Sequence, residues 1–195
     1  MRSLSERTRY ATSVTPKCRR SITTGGLICY PTEAIFGLGC DPDNEQAVHA
    51  LLALKDRPVE KGLILIADNF AQCLPYVDDS KIPQDKRAEI FSSWPGPVTW
   101  LLPVKASAPE WVTGGNPSIA IRVTDHPVVK ELCQAFGKPI VSTSANFSGE
   151  EPAKTLAEAQ AAFGDRVAFY QAGELGKQTS PSQIRDALSG KIIRS

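Results

Sequence analysis

Four short stretches of the chain hold side chains able to do chemistry. Lys55-Asp56-Arg57-Pro58 closes an amphipathic segment. Pro58 cannot continue a helix, so Lys55 and Arg57 fall on an irregular turn. There they can converge on one polyanion, which two residues so spaced on a regular helix cannot do. Arginine offers a planar fork and lysine a point charge, a useful pair for phosphate oxygens. The same cations at a helix C-terminus would also complement its dipole. Ser142-Thr143-Ser144-Ala145-Asn146 follows an apolar run. Loops at the carboxyl ends of strands are where open α/β sheets bind ligands, and hydroxyls with one amide can bond phosphate, carboxylate or ribose oxygens. A turn that caps itself uses the same residue types. Tyr30-Pro31-Thr32-Glu33 ends another apolar run. Thr32 suits contact with a small substrate, and Glu33 can balance an ammonium or a cation. Arg122 sits inside the apolar stretch 119–123, where a charge is costly unless it is paired or faces a ligand.

These residues need elements to hold them. From Leu27 onward strand and helix signals alternate. Residues 27–30 read as a short buried strand ended by Pro31. Asp43 with Gln46 resembles a capping box before the helical set Ala47, Val48, Leu51, Leu52 and Leu54. Residues 63–67 form the next strand, followed by helices near 69–75 and 84–92. Trp94-Pro95-Gly96-Pro97 cannot be regular structure. Residues 98–104 and 118–123 read as strands, and 126–136 as an amphipathic helix stopped by Gly137. Residues 139–142 enter a strand that opens into the Ser-rich loop 142–149. Thr155 and Glu158 form another capping box, on a helix stopped by Gly164. Residues 167–170 follow as a strand, 182–188 as a short helix and 191–194 as a last strand. The expected architecture is one α/β domain with a mixed sheet.

Bulk composition agrees with one domain in 195 residues. An apolar fraction of 42% and a charged fraction of 22% are those of an ordinary globular protein. A net charge of +1 argues against bulk electrostatic attraction to nucleic acid and leaves room for a local basic face. Five cysteines, widely spaced and without C-x-x-C, read as buried reduced thiols in a cytosolic chain. Two histidines cannot build a His/Cys metal cluster at recognisable spacing. His49 reads as a surface residue, His126 as structural, and Trp94, Trp100 and Trp111 as core. No apolar run approaches the ~18 residues of a membrane span. Residues 1–24 stand apart as an atypical basic, Ser/Thr-rich segment; with Gly25 and Gly26 they carry six Lys and Arg against Glu6 alone. A transit peptide has this look; so does a solvated segment with a poor helix.

No P-loop signature is present, Gly37-Leu38-Gly39 is only a fragment of a dinucleotide fingerprint, and no G-x-S-x-G elbow occurs. The motifs gain meaning together. YPTEAIFGLG, KDRP-x-x-KG, WPGPVT, IAIRVTDHP, STSANFSGEEP, PSQIRD and IIR occur in that order. As a set over residues 25–194 they resemble the YrdC/Sua5 family of threonylcarbamoyl-AMP synthases, in its short single-domain form. The resemblance implies that residues 25–195 are a YrdC-like domain, an open, twisted mixed sheet with helices on its faces and a concave ligand face, joining L-threonine, bicarbonate and ATP into threonylcarbamoyl-AMP. That is the first step of N6-threonylcarbamoyladenosine formation in tRNA. It implies threonine contacts at Thr32, Arg122, Ser142 and Ser182. It implies ATP contacts at Lys55, Arg57, Ser118, Ser144, Asn146 and Arg194, with Lys55 and Arg57 catalytic. Mg2+ would travel with ATP, with no resident metal. Partners would include tRNA or double-stranded RNA and the pathway proteins TsaB, TsaD and TsaE, in the cytoplasm and with no membrane. The sequence departs from the pattern at Lys61-Gly62, where many relatives carry KP. It departs again in the strand LILI, where many carry a His, and in lacking the usual apolar N-terminal helix. A chain ending at Ser195 would lack the extra domain of the long form. Two rival readings are a module that binds double-stranded RNA by shape during ribosome maturation, and a hydrolase or carbamoyltransferase on the same fold.

Overall fold

A computed structural model describes residues 14–195. The transit-peptide reading therefore falls mostly outside the described residues. The chain order is α1 (Pro16–Thr23), β1 (Ile28–Pro31), β2 (Phe36–Gly39), α2 (Glu45–Leu54), β3 (Ile64–Ala67), α3 (Arg87–Ser92) and β4 (Val98–Pro103). It continues with α4 (Glu110–Thr113), β5 (Ser118–Val123), α5 (Pro127–Phe136), β6 (Ile140–Ser144), α6 (Leu156–Phe163), β7 (Phe169–Tyr170), β8 (Gln183–Asp186) and β9 (Ile192–Arg194). The strands lie side by side as β7-β1-β2-β6-β3-β5-β4-β8-β9, mixing parallel and antiparallel neighbours. The expected open mixed α/β sheet is the fold observed.

Local chemistry explains most boundaries. Thr155 caps α6 in the expected capping box with Glu158, and Gly137 ends α5 at φ 81°, a conformation that costs glycine nothing. The α2 cap is Asn44 rather than Asp43: the Asn44 side chain accepts from the Ala47 N–H. Three elements differ from expectation. The region 69–75 holds only a short 3-10 turn, Phe70–Cys73. FGLG is a strand, because Gly39 lets β2 pass close to its neighbours; a Cβ there would strike the Val141 carbonyl and come within 2.9 Å of the Tyr30 ring. The 182–188 segment is strand β8, not a helix, because it pairs in parallel with β4 from Gln183 to Asp186.

Alternation along the strands divides the sheet into two faces. Cys29, Leu65, Val141, Ile119 and Ile121 belong to the larger core, with side chains of α2 and α6. Ile28, Tyr30, Ile66 and Ile140 face the other way and are covered by α1 and α5. These two helices cover only part of that second face. Along β6 the covered Ile140 gives way to Ser142 and Ser144, and along the chain from β1 Tyr30 gives way to Thr32. The uncovered part is the floor of a cavity.

The α1 helix is part of this packing. Its cap is the Thr15 hydroxyl, and Cys18 and Ile22 are fully buried against α5. Residues 16–23 thus share the core of the domain that follows. Ile22→Ala should lower unfolding free energy by about 2–5 kcal/mol. Urea unfolding checks this; a change under ~0.5 kcal/mol would mean that α1 is dispensable.

Candidate functional site

A cavity of about 470 Å³ opens on the uncovered face. Its floor follows from strand register. Leu101 pairs with Ala120, Ala120 with Ile64, and Ile64 with Ser142, and all four line it. In β5 the alternation is strict: Ile119, Ile121 and Val123 are buried, while Ser118, Ala120 and Arg122 face the cavity. Arg122 therefore sits in an apolar strand without lying in the core. Between β7 and β8, at opposite ends of the sheet apart from β9, residues 171–182 cross the cavity mouth and bring Gln178, Ser180 and Ser182 to it. The crossing is tied down where the N–H groups of Gly176 and Gln178 donate to the carbonyls of Thr32 and Glu33, at 2.9 and 3.2 Å.

Charge in the cavity is mostly positive. Arg57, Lys61, Arg122 and Arg194 line it, against Glu33 and Glu60. Burial holds the Arg57 guanidinium below its ordinary pKa, and Arg194 adds repulsion. Arg194 stands on the exposed strand β9, and partial burial of its guanidinium, with repulsion from Arg122, lowers its pKa as well. Arg122 lies 3.2 Å from Glu33. Its Nε, the Nε of Arg57 and Oε2 of Glu33 are buried without a hydrogen-bond partner among the described residues. The Arg122–Glu33 contact is thus coulombic, at a poor angle for a hydrogen bond. Buried donors left unpaired are rare in native folds; here they point to a ligand that completes them.

The Lys55-Asp56-Arg57 turn places its two cations differently. Lys55 caps α2, and Asp56 adopts φ 47°, a left-handed conformation that aspartate tolerates better than most residues. This kink sends Arg57 to the cavity, where its Nη2 donates to the Gly62 carbonyl at 2.9 Å. Lys55 is buried, 7% exposed, and does not line the cavity. Its Nζ donates to the carbonyls of Ser144 and Asn146 at 2.6 and 2.7 Å and to Oδ1 of Asn146 at 3.2 Å. The Asn146 amide donates to the Phe147 and Glu150 carbonyls, both at 2.9 Å. Lys55 and Asn146 therefore brace the loop from beneath. Burial, then repulsion from Arg57, pushes the Lys55 ammonium down to a pKa of about 8.

Of the residues singled out in the sequence, Thr32, Arg57, Ser118, Arg122, Ser142, Ser144, Ser182 and Arg194 meet around this cavity. The Thr32 hydroxyl donates to the Ile35 carbonyl at 2.7 Å, so toward the cavity it can only accept. Ser182 shares a 3.0 Å hydrogen bond with the fully buried Thr99, and Arg194 donates to the Ser182 carbonyl at 3.2 Å. Sequence reasoning missed Thr99 and Thr124, single hydroxyls within WPGPVT and IAIRVTDHP to which spacing alone assigns no role, and the crossing segment. Its only sequence signal is a stretch too polar and glycine-bearing for a core element. The five cysteines are free and buried. Trp100 is fully buried, His49 is exposed beside Glu45, and His126 is buried.

Residues 20–195 match the model of the Sua5_yciO_yrdC family, described as Telomere recombination. A threonylcarbamoyl-AMP synthase of Pseudoalteromonas translucida (strain TAC 125) is 58% identical over 173 residues, 89% of this chain and 92% of that protein. One of Yersinia enterocolitica (serotype O:8 / biotype 1B) is 57% identical over 168 residues, 86% of this chain and 88% of that protein. The crystal structure of P. abyssi Sua5 complexed with L-threonine superposes with a TM-score of 0.77 at 29% identity, covering 86% of this chain. The chain spans about half of that longer protein, 49% of its length.

The lowered pKa of Lys55, which lies beneath the Ser-rich loop, should make anion binding in the cavity pH-dependent. A bound polyphosphate favours the protonated ammonium, so binding above pH 8 must take up a proton. Tripolyphosphate affinity should fall as pH rises from 8 to 10, by at most about tenfold per unit. Calorimetric titration of the wild type and Lys55→Met checks it. The wild type should show the extra slope and the variant should lack it; equal slopes would refute the linkage.

Proposed function

The chain belongs to the Sua5/yciO/yrdC family, and from that premise we propose that it is a threonylcarbamoyl-AMP synthase. It joins L-threonine, bicarbonate and ATP and releases pyrophosphate. The observation that carries this reading is the set of three guanidinium groups around one cavity, two of them with buried Nε–H groups unpaired. The reactants bring a carboxylate and a triphosphate, the anions such a set would complete. The cavity volume lies within the range of small-molecule sites. The reading makes the chain a nucleotidyltransferase.

The chemistry asks for positioning more than for proton transfer. The threonine amine nitrogen bonds to the carbon of CO2 derived from bicarbonate and loses a proton, giving a carbamate. A carbamate oxygen then bonds to the α-phosphorus of ATP, and the bond from that phosphorus to the bridging oxygen of pyrophosphate breaks. The carbamate is already anionic, so no strong general base is needed. Arg122, steadied by Glu33, would receive the threonine carboxylate, with Thr32, Ser142 and Ser182 around the side chain. Arg57 would offset charge growing on the leaving pyrophosphate. Ser144, Ser118 and Arg194 would hold the nucleotide. Lys55 and Asn146 would fix the loop that presents Ser144, with the ammonium adding its field from beneath. Mg2+ would arrive on the phosphate oxygens of ATP. No group of three or more His, Cys, Asp or Glu able to hold a metal occurs among the described residues, and Glu33 and Glu60 are the carboxylates at the cavity.

The same reading extends outward. The product would serve threonylcarbamoylation of tRNA, with TsaB, TsaD and TsaE as transfer partners, in the cytoplasm where ATP and tRNA meet. No helix among the described residues is long and apolar enough to cross a membrane. Double-stranded RNA binding would be a secondary property of the basic concave face.

Pyrophosphate release from ATP and Mg2+ should require both L-threonine and bicarbonate. Arg57→Ala should lower turnover by about two to three orders of magnitude, the size of losing one electrostatic donor. A folded wild type that releases no pyrophosphate under these conditions would sink the synthase reading. Near wild-type turnover in Arg57→Ala would sink the role given to that residue.

A further inference from the structure

A line of bonded groups runs from the cavity floor to the segment across its mouth. Glu33 Oε2 lies 3.2 Å from Arg122 Nη2. Its other oxygen, Oε1, accepts the hydroxyl proton of Thr124. The Thr124 oxygen accepts from the His126 backbone N–H at 3.0 Å, and Nε2 of the His126 ring lies 2.9 Å from the Glu174 carbonyl. A carbonyl can only accept, so Nε2 carries the proton in the neutral ring. Burial keeps the ring neutral by holding its pKa below the ordinary histidine value, against weaker opposing effects of the Glu174 carbonyl and Glu33. Glu174 belongs to the crossing segment.

Two features set this line apart from generic packing. Thr124 is fully buried and does not line the cavity, so it is no ligand; its one hydroxyl proton goes to Glu33. The carboxylate it holds is the one that faces Arg122, whose own Nε is left unpaired and whose side chain lines the cavity. A carboxylate free to rotate would pair with the guanidinium through both oxygens and take up the donors that a ligand needs. With Oε1 occupied by Thr124, Glu33 has one oxygen for Arg122, and the remaining donors stay available.

We propose that Glu33, Thr124 and His126 are positioning residues for amino-acid recognition. Thr124 limits Glu33 to one contact with Arg122, and His126 ties that arrangement to the segment over the mouth, so that the carboxylate receptor and its cover form one unit. The proposal deepens the synthase reading and rests on it for the identity of the amino acid.

The test is calorimetric binding of L-threonine and, separately, of ATP to Thr124→Val, Thr124→Ser and His126→Gln. Valine keeps the shape and removes the hydroxyl; serine restores it; glutamine keeps a donor for the Glu174 carbonyl. The Kd for L-threonine should rise about tenfold or more in Thr124→Val while the Kd for ATP stays within about twofold. Serine and glutamine variants should bind threonine within about threefold of wild type. An unchanged threonine Kd in Thr124→Val overturns the proposal, and so does a loss shared equally by threonine and ATP. If Thr124→Val does not fold, Glu33→Gln takes its place with the same expectations. Binding is measured without turnover, so a wild type that binds threonine but releases no pyrophosphate refutes the synthase reading and leaves this inference standing.

Discussion

Three guanidinium groups facing one cavity repel each other, and the rest of the structure has to hold them there. Burial and mutual repulsion both disfavour their charged forms, as the depressed pKa values of Arg57 and Arg194 record. The fold meets that cost by anchoring each group. Arg122 is fixed by the alternation of β5, Arg57 by the left-handed Asp56 and its bond to Gly62, and Arg194 by β9 and its bond to Ser182. Among the described residues, Glu33 is the one carboxylate in ion-pair contact with this set. An anion entering the cavity gains what the empty protein gives up, a form of preorganisation that costs little at the moment of binding.

The buried ammonium of Lys55 plays a complementary part. Three oxygens from two residues satisfy its three donors, which is how a buried lysine can remain in a folded core. This fastens the end of α2 to the end of β6, two elements far apart in sequence. The Ser-rich loop is thereby held by a charge instead of by its own turn hydrogen bonds alone, and its hydroxyls are free to face outward.

Much of this was legible in the sequence, for physical reasons. Proline and glycine marked the ends of β1 and α5 because their backbone limits are local. SIAIRV was readable as a strand, and period-2 alternation accounts for its arginine. The capping box of α6 was readable because all its atoms lie within four residues. What escaped depends on distant partners. The segment 182–188 carries Ile184, Ala187 and Leu188 at helical spacing, and only the pairing of β8 with β4 makes it a strand. β2 looked like a glycine fragment because its strand character comes from how closely its neighbours approach. Lys55 was read as facing a ligand because its acceptors lie about 90 residues away. Seven of the eight residues that meet at the cavity were found because short motifs carry them, and the eighth, Ser118, directly precedes one.

The stretch from Gln171 to Ser182 works as a bowstring. It leaves β7 at one edge of the sheet and enters β8 seven strand spacings away, an arc of about 34 Å at ~4.8 Å per spacing. Its 12 residues reach about 40 Å when fully drawn out. The cord can therefore span the sheet even when it is flat, with about 6 Å to spare, and its bonds to Thr32 and Glu33 draw that slack inward over the cavity. How closely the cord hugs the mouth then depends on its residue count together with where it is tied. Insertions would loosen it over the cavity, and shortening it below about ten residues would force the sheet to curl.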